Sequence, residues 1–548
     1  MRYPRFAAFL ALFPVLSART VPPNRCIDPI GLGHATLLRP PPIAREFRAA
    51  WISPINDGTH GDWPSMPGLS VDAQKAELQT LLDQAKAIGL NAVILHVRLA
   101  GDALYPTPYA PWSPYLTGTA GRDPGYDPLA YAVQEAHARG LQLHAWFNPF
   151  RATLSHFGGR ASPEHVTRTH PGWIRRYGKQ QWIDPGEPAA RALVVATIAD
   201  VVRRYDVDGV HIDDYFYPYR ESETIKHRVH HHTVKITHDI VFPDDQTWER
   251  YGIRQGWTNR DDWRRHNIDT FVQEMYGAVK ATKPWVLVGV SPFGIWRPGF
   301  PGGITGLDSY NEIYADSRSW LQKGWLDYLA PQLYWPLDGW EHRFVNLDGW
   351  WRLQNPLGRY VWPGLETAME RTGTWPATEI ADQITRIRLL RAGTADIPGH
   401  VHFRMGSLTA DGGLLGDELR HAVYTEPALV PAFPWLAHGA PSAPRVDVQA
   451  GDSLAGRRFL VTPGDTVSVA WWLVQRKAAT GTWTMSLTRQ TTAPLSIAVA
   501  PGTPRGGLTV RAIGRAGEES EIAWVDGGPP EQTPWFWADA GEPSMPCR

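Results

Sequence analysis

The chain has 548 residues, which is too long for one ordinary domain and suits a large enzyme domain with a smaller module. Hydrophobic residues make up 43% and charged residues 20%, values that are typical of a packed globular protein and exclude a largely disordered one. The formal net charge of -1 argues against a nucleic-acid-binding protein, which would carry a basic surface.

The N-terminus has the pattern of a secretory signal peptide. Two arginines precede an apolar run from Phe6 to Leu16, and the small residues Ser17 and Ala18 follow it. We therefore predict a signal peptide over residues 1–18, a linker over 19–44, and a protein that is exported to the periplasm or the extracellular space. No later segment is apolar for long enough to predict a transmembrane helix.

The chain has only two cysteines, Cys26 and Cys547, one near each end. In an exported protein they could form a disulfide that ties the termini together, but spacing alone does not show that they meet. The sequence before Cys26, "PPNRC", does not resemble a lipid-attachment site.

From residue 45 onward, short apolar runs alternate with helical patterns, which is typical of repeated βα units around a parallel sheet. Helical spacing is clearest over 71–90, 127–140, 187–205 and 259–282. Eight strands are predicted, the number that closes a (β/α)8 (TIM) barrel of the α/β class, at residues 47–53, 91–98, 141–148, 208–214, 285–291, 327–334, 359–366 and 400–405. We assign the barrel to residues 45–435.

Alternation along each strand predicts which side chains point into the barrel, because successive side chains face opposite sides of a sheet. Apolar residues such as Val93, Leu95 and Val97 should face the helices. The inward set is then mostly polar near the carboxyl ends of the strands: His96, Arg98, His144, Trp146, Asn148, His211, Asp213, Gln332, Tyr334, Glu366, His402 and Arg404. Barrel enzymes keep their active sites at this end, so we expect a functional mouth there.

Beyond the barrel, prolines 431, 434, 441 and 444 mark a linker. Short strand patterns with turn signals follow, and they predict a C-terminal β-sandwich of fibronectin type III or immunoglobulin style over residues 436–528. Residues 529–548 are predicted to be an irregular tail. A histidine-rich segment between Tyr219 and Phe242 could bind metal, but a solvent-exposed loop after the fourth strand is the simpler interpretation.

Several long motifs resemble the glycosyl hydrolase-like 10 family of exported bacterial proteins, among them "GDALYPTPYAPWSPYLTG", "HAWFNPFR", "DGVHIDDYFYPY", "YADSRSW" and "LDYLAPQLYWP". The resemblance covers roughly residues 47–405. It implies a barrel glycosidase that acts on a cell-envelope glycan, with peptidoglycan strands as the leading substrate. Carried over by motif, the site would contain Asp213 and Asp214 as the central acids, lined by Asp102, Asn148, Arg151, Asp316, Gln332 and Tyr334.

Glycoside hydrolysis usually needs one protonated carboxyl group and one ionised carboxylate. Alternation places Asp213 on the inward face, whereas Asp214 is out of phase and must reach the mouth through the loop. We predict Asp213 as one essential carboxyl group and leave its partner open among Asp214, Glu366 and Asp102. Such chemistry requires no metal or other cofactor, and we expect none.

The same residues are consistent with two other functions. Four histidines, His96, His144, His211 and His402, could converge beside Asp213 and hold a catalytic zinc ion. Alternatively, the protein could bind a glycan without cleaving it, with sugar rings stacked on Trp146, Tyr215, Tyr217 and Trp335.

Overall fold

The computed structural model describes residues 39–55, 61–153, 161–229, 232–339, 343–437, 439–449, 458–499, 503–504 and 506–525. The predicted signal peptide, Cys26, Cys547 and the predicted C-terminal tail lie outside these ranges and stay predictions. In the described part of the chain, no helix is both long and apolar enough to cross a membrane.

The strands of the first 430 residues form a barrel and its attachments. In chain order they are β1 Ala44–Arg45, β2 Phe47–Ile52, β3 Ala92–Arg98, β4 Gln142–Phe147, β5 Ile174–Tyr177, β6 Gln180–Ile183, β7 Gly209–Ile212, β8 Ser222–Val229, β9 His232–Asp239, β10 Leu287–Val290, β11 Tyr328–Leu329, β12 Tyr360–Val361, β13 Gly364–Glu366, β14 Gly399–Phe403 and β15 Ala428–Leu429. The main sheet is wholly parallel, with the order β12-β11-β10-β7-β4-β3-β2-β14-β13.

The two ends of this sheet, β12 and β13, are halves of one strand, because only Trp362 and Pro363 separate them. Backbone hydrogen bonds continue across the gap, from the Trp362 N–H to the Leu329 carbonyl (2.8 Å) and from the Gly364 N–H to the Pro331 carbonyl (2.9 Å). Pro363 has no N–H to donate, which accounts for the formal break. The sheet therefore closes on itself as eight strands, and the predicted (β/α)8 barrel is confirmed.

Helices follow the strands and cover the outside of the barrel. They are α1 Val71–Ile88, α2 Pro114–Thr117, α3 Pro128–Ala138, α4 Val166–Thr169, α5 Pro188–Arg204, α6 Asp245–Thr247, α7 Arg260–Thr282, α8 Ser309–Glu312, α9 Ser317–Lys323, α10 Phe344–Leu353, α11 Thr367–Arg371, α12 Glu379–Arg391, α13 Met405–Thr409 and α14 Leu414–Glu418. Short 3₁₀ or π turns occur at Pro171–Trp173, Trp248–Gly252, Ile253–Gln255, Asp411–Gly413 and Leu419–Val423.

Helix α1 shows why these segments are helical. The Ser70 hydroxyl accepts a hydrogen bond from the Ala73 N–H (3.2 Å) and so caps the first turn, and Gly89 ends the helix in the left-handed conformation. Between them, Leu78, Leu82 and other apolar residues at helical spacing are buried against the strands. The three other helices predicted from periodicity are present as α3, α5 and α7.

The two faces of the barrel strands form separate cores. Val93, Leu95 and Val97 of β3 pack with the helices, as alternation predicted, whereas Ile94 packs inside the barrel. Aromatic residues fill much of the lower interior, including Phe47, Tyr328, Tyr360 and Trp362. Above this packed floor, a cavity opens near the carboxyl ends of the strands.

Three sequence interpretations need correction. In β14 the inward residues are Val401 and Phe403, not His402, because His400 and His402 point outward to the Tyr424 hydroxyl. The histidine-rich segment, predicted as a solvent-exposed loop, contains the antiparallel hairpin β8–β9, since its threonine, isoleucine and valine residues favour strands. The predicted sixth strand keeps ladder pairing only over β11, and beyond it two isolated bridges join Gln332 to Phe293 and to Gly364.

The C-terminal strands form two packed antiparallel sheets, as predicted for a β-sandwich. They are β16 Arg445–Gln449, β17 Arg458–Thr462, β18 Val469–Lys477, β19 Trp483–Arg489, β20 Leu495–Ala498, β21 Leu508–Gly514 and β22 Ala523–Trp524, in sheets β16-β17-β20 and β19-β18-β21-β22. A core that includes Trp472 and Val510 lies between them.

Candidate active site

A cavity of about 370 Å³ opens at the carboxyl ends of the barrel strands, a size within the usual range for small-ligand sites. Residues from strands or strand ends around the barrel reach it, which is the usual construction of a barrel active site. Its lining consists of Trp51, Ser53, Ile55, His96, Trp146, Arg151, Asp213, Asp214, Tyr215, Tyr219, Ser291, Gln332, Tyr334, Phe403 and Arg404.

Asp213 lies directly after β7, and its side chain is held by donors from the neighbouring strand β4. The Trp146 indole N–H and the Asn148 amide both donate to Oδ2, at 3.0 and 3.3 Å. The Tyr215 backbone N–H approaches Oδ1 at 3.4 Å. The residue is only 4% exposed, so these contacts fix a carboxyl group that is almost shielded from bulk water.

Asp214 lies beside Asp213, where the chain leaves the strand and turns. Its Oδ2 accepts a hydrogen bond from the Tyr219 hydroxyl, and the Gln332 side chain provides a second hydrogen bond. Tyr219 belongs to the same loop, and Gln332 follows β11, which is separated from β7 by the single strand β10. The loop therefore brings Asp214 into the cavity. Alternation along the strand alone would have pointed this side chain away from the barrel interior.

The two carboxyl groups differ in their electrostatic surroundings. Burial, and then the neighbouring Asp214 carboxylate, raise the pKa of Asp213 from 3.8 to about 7, against opposing effects of Arg151 and Trp146. Burial also raises the pKa of Asp214, while hydrogen bonds from Tyr219 and Gln332 oppose that rise. The pair thus offers a carboxyl group that can hold a proton near neutral pH beside one whose charged form is stabilised by the Tyr219 and Gln332 side chains.

One wall of the cavity is built from stacked rings and a guanidinium group. The His96 ring lies parallel to Trp146 at 3.8 Å, and the Ser53 hydroxyl is 3.0 Å from His96 Nδ1. The Arg151 guanidinium lies 3.6 Å above the centre of the Tyr215 ring. Burial, followed by the charge of Arg151, holds the pKa of His96 well below its usual value, so this imidazole is neutral.

Most of the residues selected from the sequence meet at this cavity. The structure places nine there: His96, Trp146, Arg151, Asp213, Asp214, Tyr215, Gln332, Tyr334 and Arg404. Asn148 supports Asp213 from behind. His211 lies deeper, where the Trp51 indole N–H donates to its Nε2 (3.2 Å) and Tyr328 contacts its Nδ1 (2.9 Å).

Arg98 and Asp102, which follow one another along the same segment, do not line this cavity. A bulge at Val97 puts Arg98 opposite Phe147, an outward residue, and so reverses the phase that alternation assigned to it. Asp102 turns back on its own loop, where Oδ1 accepts the Leu99 and Ala100 N–H groups (3.1 and 2.8 Å).

Three further predicted residues have other surroundings. Tyr217 is buried edge-on between Phe242 and Tyr314. Asp316 caps α9 and accepts a hydrogen bond from the Trp296 indole at 3.0 Å. Trp335 packs edge-on against Phe293 and is not part of the cavity lining.

Glu366 ends β13 beside the cavity but is not among its lining residues. It is close enough to Tyr334 for its charge, after burial, to raise the pKa of that hydroxyl. Among the candidate partners of Asp213, only Asp214 therefore lines the same cavity.

The four histidines considered for a metal site do not converge. His144 and His211 both contact the Tyr328 hydroxyl below the cavity floor at 2.9 Å, and His402 faces outward to Thr367 and Tyr424. Only His96 reaches the cavity. In the described part of the chain, no group of three or more histidine, cysteine or acidic residues has the arrangement of a metal site.

Several lining residues were not selected from the sequence. Trp51 and Ser53 continue the inward phase of β2, and Ser291 continues that of β10, so the same alternation rule could have identified them. Tyr219 and Phe403 are different, because the first depends on the path of a loop and the second on the corrected phase of β14.

The chain is similar to a known protein family and to solved structures. The family described as Glycosyl hydrolase-like 10 matches residues 46–356. Among solved structures, the glycoside hydrolase domain of PgaB (BpsB) from Bordetella bronchiseptica aligns with a TM-score of 0.42 and 15% identity, covering 69% of this chain and 98% of that one.

Two curated relatives cover most of the chain. The glycosyl hydrolase YngK of Bacillus subtilis (strain 168) is 39% identical over 411 residues, which are 73% of this chain and 76% of the relative. The glycosyl hydrolase DigH of Escherichia coli (strain K12) is 32% identical over 371 residues, 64% of this chain and 79% of that protein. The chain therefore belongs to the glycosyl hydrolase-like 10 family and is a glycosidase with a carbohydrate substrate.

Proposed function

We propose that this protein is an exported glycosidase that cleaves glycosidic bonds in peptidoglycan glycan strands, using Asp213 as general acid and Asp214 as the ionised carboxylate. One observation carries the assignment of roles. Asp213 is a buried carboxyl group whose pKa is raised to about 7, and it lies on an aromatic cavity at the mouth of the barrel. A group with that pKa can donate a proton to a leaving oxygen at neutral pH.

The hydrogen bonds around Asp213 indicate where its proton lies. Oδ2 already accepts hydrogen bonds from Trp146 and Asn148, so a proton on the same oxygen would compete with these donors. Within the described part of the chain, Oδ1 accepts only the longer contact with the Tyr215 N–H. The acidic proton therefore belongs on Oδ1, where it can be passed to the glycosidic oxygen as the bond breaks.

Asp214 suits the complementary role. The Tyr219 hydroxyl and the Gln332 side chain both stabilise its charged form. Bond cleavage in a glycoside develops positive charge on the sugar ring, and a fixed carboxylate nearby stabilises that charge. Of the alternatives left open by the sequence, Asp102 lines a different cavity and Glu366 is not among the residues that line this one, which supports Asp214 as the partner.

The choice of substrate rests on the shape of the site and on the start of the chain. Trp51, Trp146, Tyr215 and Tyr334 give the cavity flat apolar faces of the kind that pack on sugar rings, between polar groups that can bind hydroxyls. The export pattern of residues 1–18 supports a polysaccharide outside the cytoplasm. The family resemblance supports peptidoglycan in particular.

Incubation with purified peptidoglycan, a chitin-like polymer and a neutral polysaccharide, followed by mass spectrometry of released fragments, tests the proposal. The wild-type protein should release soluble glycan with new reducing ends from peptidoglycan. The Asp213→Asn variant should lose at least about 100-fold in rate, the usual contribution of a general acid. Asp72→Asn, the same change on the exposed first turn of α1, should match wild type.

Undiminished release by folded Asp213→Asn would contradict the assigned acid. Cleavage of another polysaccharide instead of peptidoglycan would contradict the proposed substrate but not the proposed roles of Asp213 and Asp214. Tight binding without new reducing ends, for wild type and variant alike, would favour the non-catalytic glycan-binding function.

A further inference from the structure

A second cavity of about 440 Å³ lies beside the catalytic one, between the loops that follow β3 and β4. The segment after β4 connects the two cavities, because Arg151 lines the catalytic cavity whereas Ala152 and Thr153 line the second one. Tyr115 lines the second cavity, and after burial the charges of Asp102 and Arg151 both affect the pKa of its hydroxyl, so all three side chains lie near one another. The two cavities are therefore neighbours along the mouth of the barrel.

Asp102 gives the second cavity a carboxylate group of which only one oxygen accepts hydrogen bonds from the described residues. The residue is 5% exposed, and its Oδ1 accepts two backbone N–H groups. Among the described residues, none donates a hydrogen bond to its other oxygen, Oδ2. This second carboxylate oxygen can accept a hydrogen bond from a ligand, and a hydrogen bond to an ionised carboxylate is stronger than one to a neutral acceptor.

The loop that carries Asp102 is held rigidly. Gly101 has a φ of +69°, and a Cβ atom at this position would lie 2.9 Å from His165 Nε2. That same nitrogen lies 2.9 Å from the Ala100 carbonyl, and His165 Nδ1 lies 2.8 Å from the Thr167 hydroxyl. The Asp102 loop and His165 thus fit closely together and form a well-packed wall of the cavity.

Aromatic side chains supply the apolar part of the cavity. Trp112 is half-buried at its edge and is fixed by a backbone bridge to Ala103, one residue after Asp102. Tyr115 lines the cavity from α2. A flat indole beside a carboxylate oxygen combines a surface for a sugar ring with an acceptor for its hydroxyl, amide or ammonium hydrogens.

We propose that this second cavity is a sugar subsite that binds the next unit of the polysaccharide, and that it prefers a neutral or amine-bearing sugar. The inference rests on the proposed function, since a subsite has meaning only beside the bond that is cleaved. The Asp102 carboxylate repels a sugar that carries its own carboxylate, which gives the site a preference as well as an affinity. Chains that reach this subsite are cleaved more efficiently than chains that do not.

The test compares kcat/KM for the shortest and the longest soluble glycans that the wild-type enzyme cleaves. Trp112→Ala should lower the ratio of kcat/KM for the longest glycan to kcat/KM for the shortest by roughly tenfold, the effect of losing one good aromatic contact. Trp483→Ala, on strand β19 of the sandwich, is the matched control and should keep the wild-type ratio.

Asp102→Asn removes the negative charge of the carboxylate and should leave the loop intact, so it distinguishes the two contributions of this residue. Its amide oxygen can still accept the Leu99 and Ala100 N–H groups, so the loop should keep its form. The variant should also lower the ratio of kcat/KM for the longest glycan to kcat/KM for the shortest. Relative to wild type, it should cleave carboxylate-bearing chains better in comparison with neutral ones. Wild-type ratios in both Trp112→Ala and Asp102→Asn would overturn the subsite.

Failure of the proposed function would look different. If the wild-type protein cleaves none of these glycans, the proposed glycosidase activity on them is wrong, and this result does not yet decide whether the second cavity binds sugar. Glycan affinity is then compared between Asp213→Asn and Asp213→Asn combined with Trp112→Ala, by titration calorimetry. Weaker binding by the double variant would support the subsite, and equal affinities would overturn it.

Discussion

At the scale of single residues, Asp213 has an environment that favours chemistry over stability. Its carboxyl group is buried beside another carboxylate, and its pKa of about 7 lies well above the ordinary 3.8. Between these two pH values the folded protein holds a proton that the unfolded chain has released. Stability contributed by this group is therefore present below about pH 4 and is lost as the pH rises through about 7.

Asp213→Asn should consequently stabilise the protein at alkaline pH, because the neutral amide carries no charge to bury. At pH 8 we expect a gain in the free energy of unfolding of up to about 4 kcal/mol, the energy equivalent of the pKa difference. At pH 4 the gain should vanish, since the wild-type carboxyl group is then protonated in the folded state.

Denaturant unfolding of both proteins at pH 4, 6 and 8 measures this difference, with Asp72→Asn as the control. A variant that is destabilised equally at every pH would contradict the prediction. It would mean that the amide disturbs the contacts with Trp146 and Asn148 more than it relieves the buried charge.

At the scale of elements, alternation was informative where the outward face of a strand is apolar. It placed His96 in β3, Trp146 in β4 and Asp213 after β7 correctly, because their neighbours in the chain pack against helices. The eight strands and the polar mouth of the barrel could therefore be predicted from the sequence.

The rule failed where both faces of a strand are buried and either may be polar. In β14, His400 and His402 are fully buried on the outside of the barrel, while Val401 packs inside it. Polarity alone could not identify the inner face. Arg98 was assigned to the wrong face for another reason. A one-residue bulge at Val97 reverses the direction of the following side chain and leaves no distinct sequence signal.

The corrected phase of β14 leads to a prediction for Tyr424. Burial lowers the pKa of both histidines, that of His402 to about 3, so both rings are neutral. One hydroxyl serves both, with Tyr424 Oη at 2.5 Å from His400 Nε2 and 2.8 Å from His402 Nε2. Such a hydroxyl can donate to one neutral ring and accept from the other.

Tyr424→Phe should leave both nitrogens buried without this partner and lower the free energy of unfolding by about 1–3 kcal/mol. The rate on glycan should stay within about twofold, because these groups lie outside the catalytic cavity. Denaturant unfolding and kinetics check the two parts, with the half-exposed Tyr109→Phe as control. A loss of activity without a loss of stability would instead place His402 in the catalytic cavity.

At the scale of the whole molecule, the β-sandwich packs at the end of the barrel opposite the catalytic cavity. Asp206 and Asp208 precede β7, whereas Asp213 follows it, so the two ends of one strand serve different purposes. Arg489 of β19 pairs with Asp206 (2.6 Å) and Asp208 (3.2 Å), and Arg515 pairs with Asp206 (2.7 Å). The Arg489 guanidinium also lies 4.7 Å from the Trp471 ring centre.

This arrangement gives the sandwich a structural role in the barrel. The Asp208 side chain is 9% exposed and also pairs with His137 at 2.8 Å. Its burial opposes ionisation, but His137, Arg489 and the Leu143 N–H outweigh that effect and hold its pKa well below the usual value. Stability from Asp208 is therefore present above about pH 4 and is lost as the pH falls below it.

Arg489→Met keeps much of the apolar length of the side chain and removes its charge. We expect a loss of about 2–4 kcal/mol in the free energy of unfolding at pH 7, because Asp208 then stays buried with less compensation. The loss should shrink below about pH 4, as the aspartates become protonated. The exposed Arg458→Met in the same sandwich should cost less than about 0.5 kcal/mol. Because the catalytic cavity opens at the other end, kcat should be unchanged; a fall in kcat at unchanged stability would mean that the sandwich acts on the catalytic carboxyl groups through the barrel.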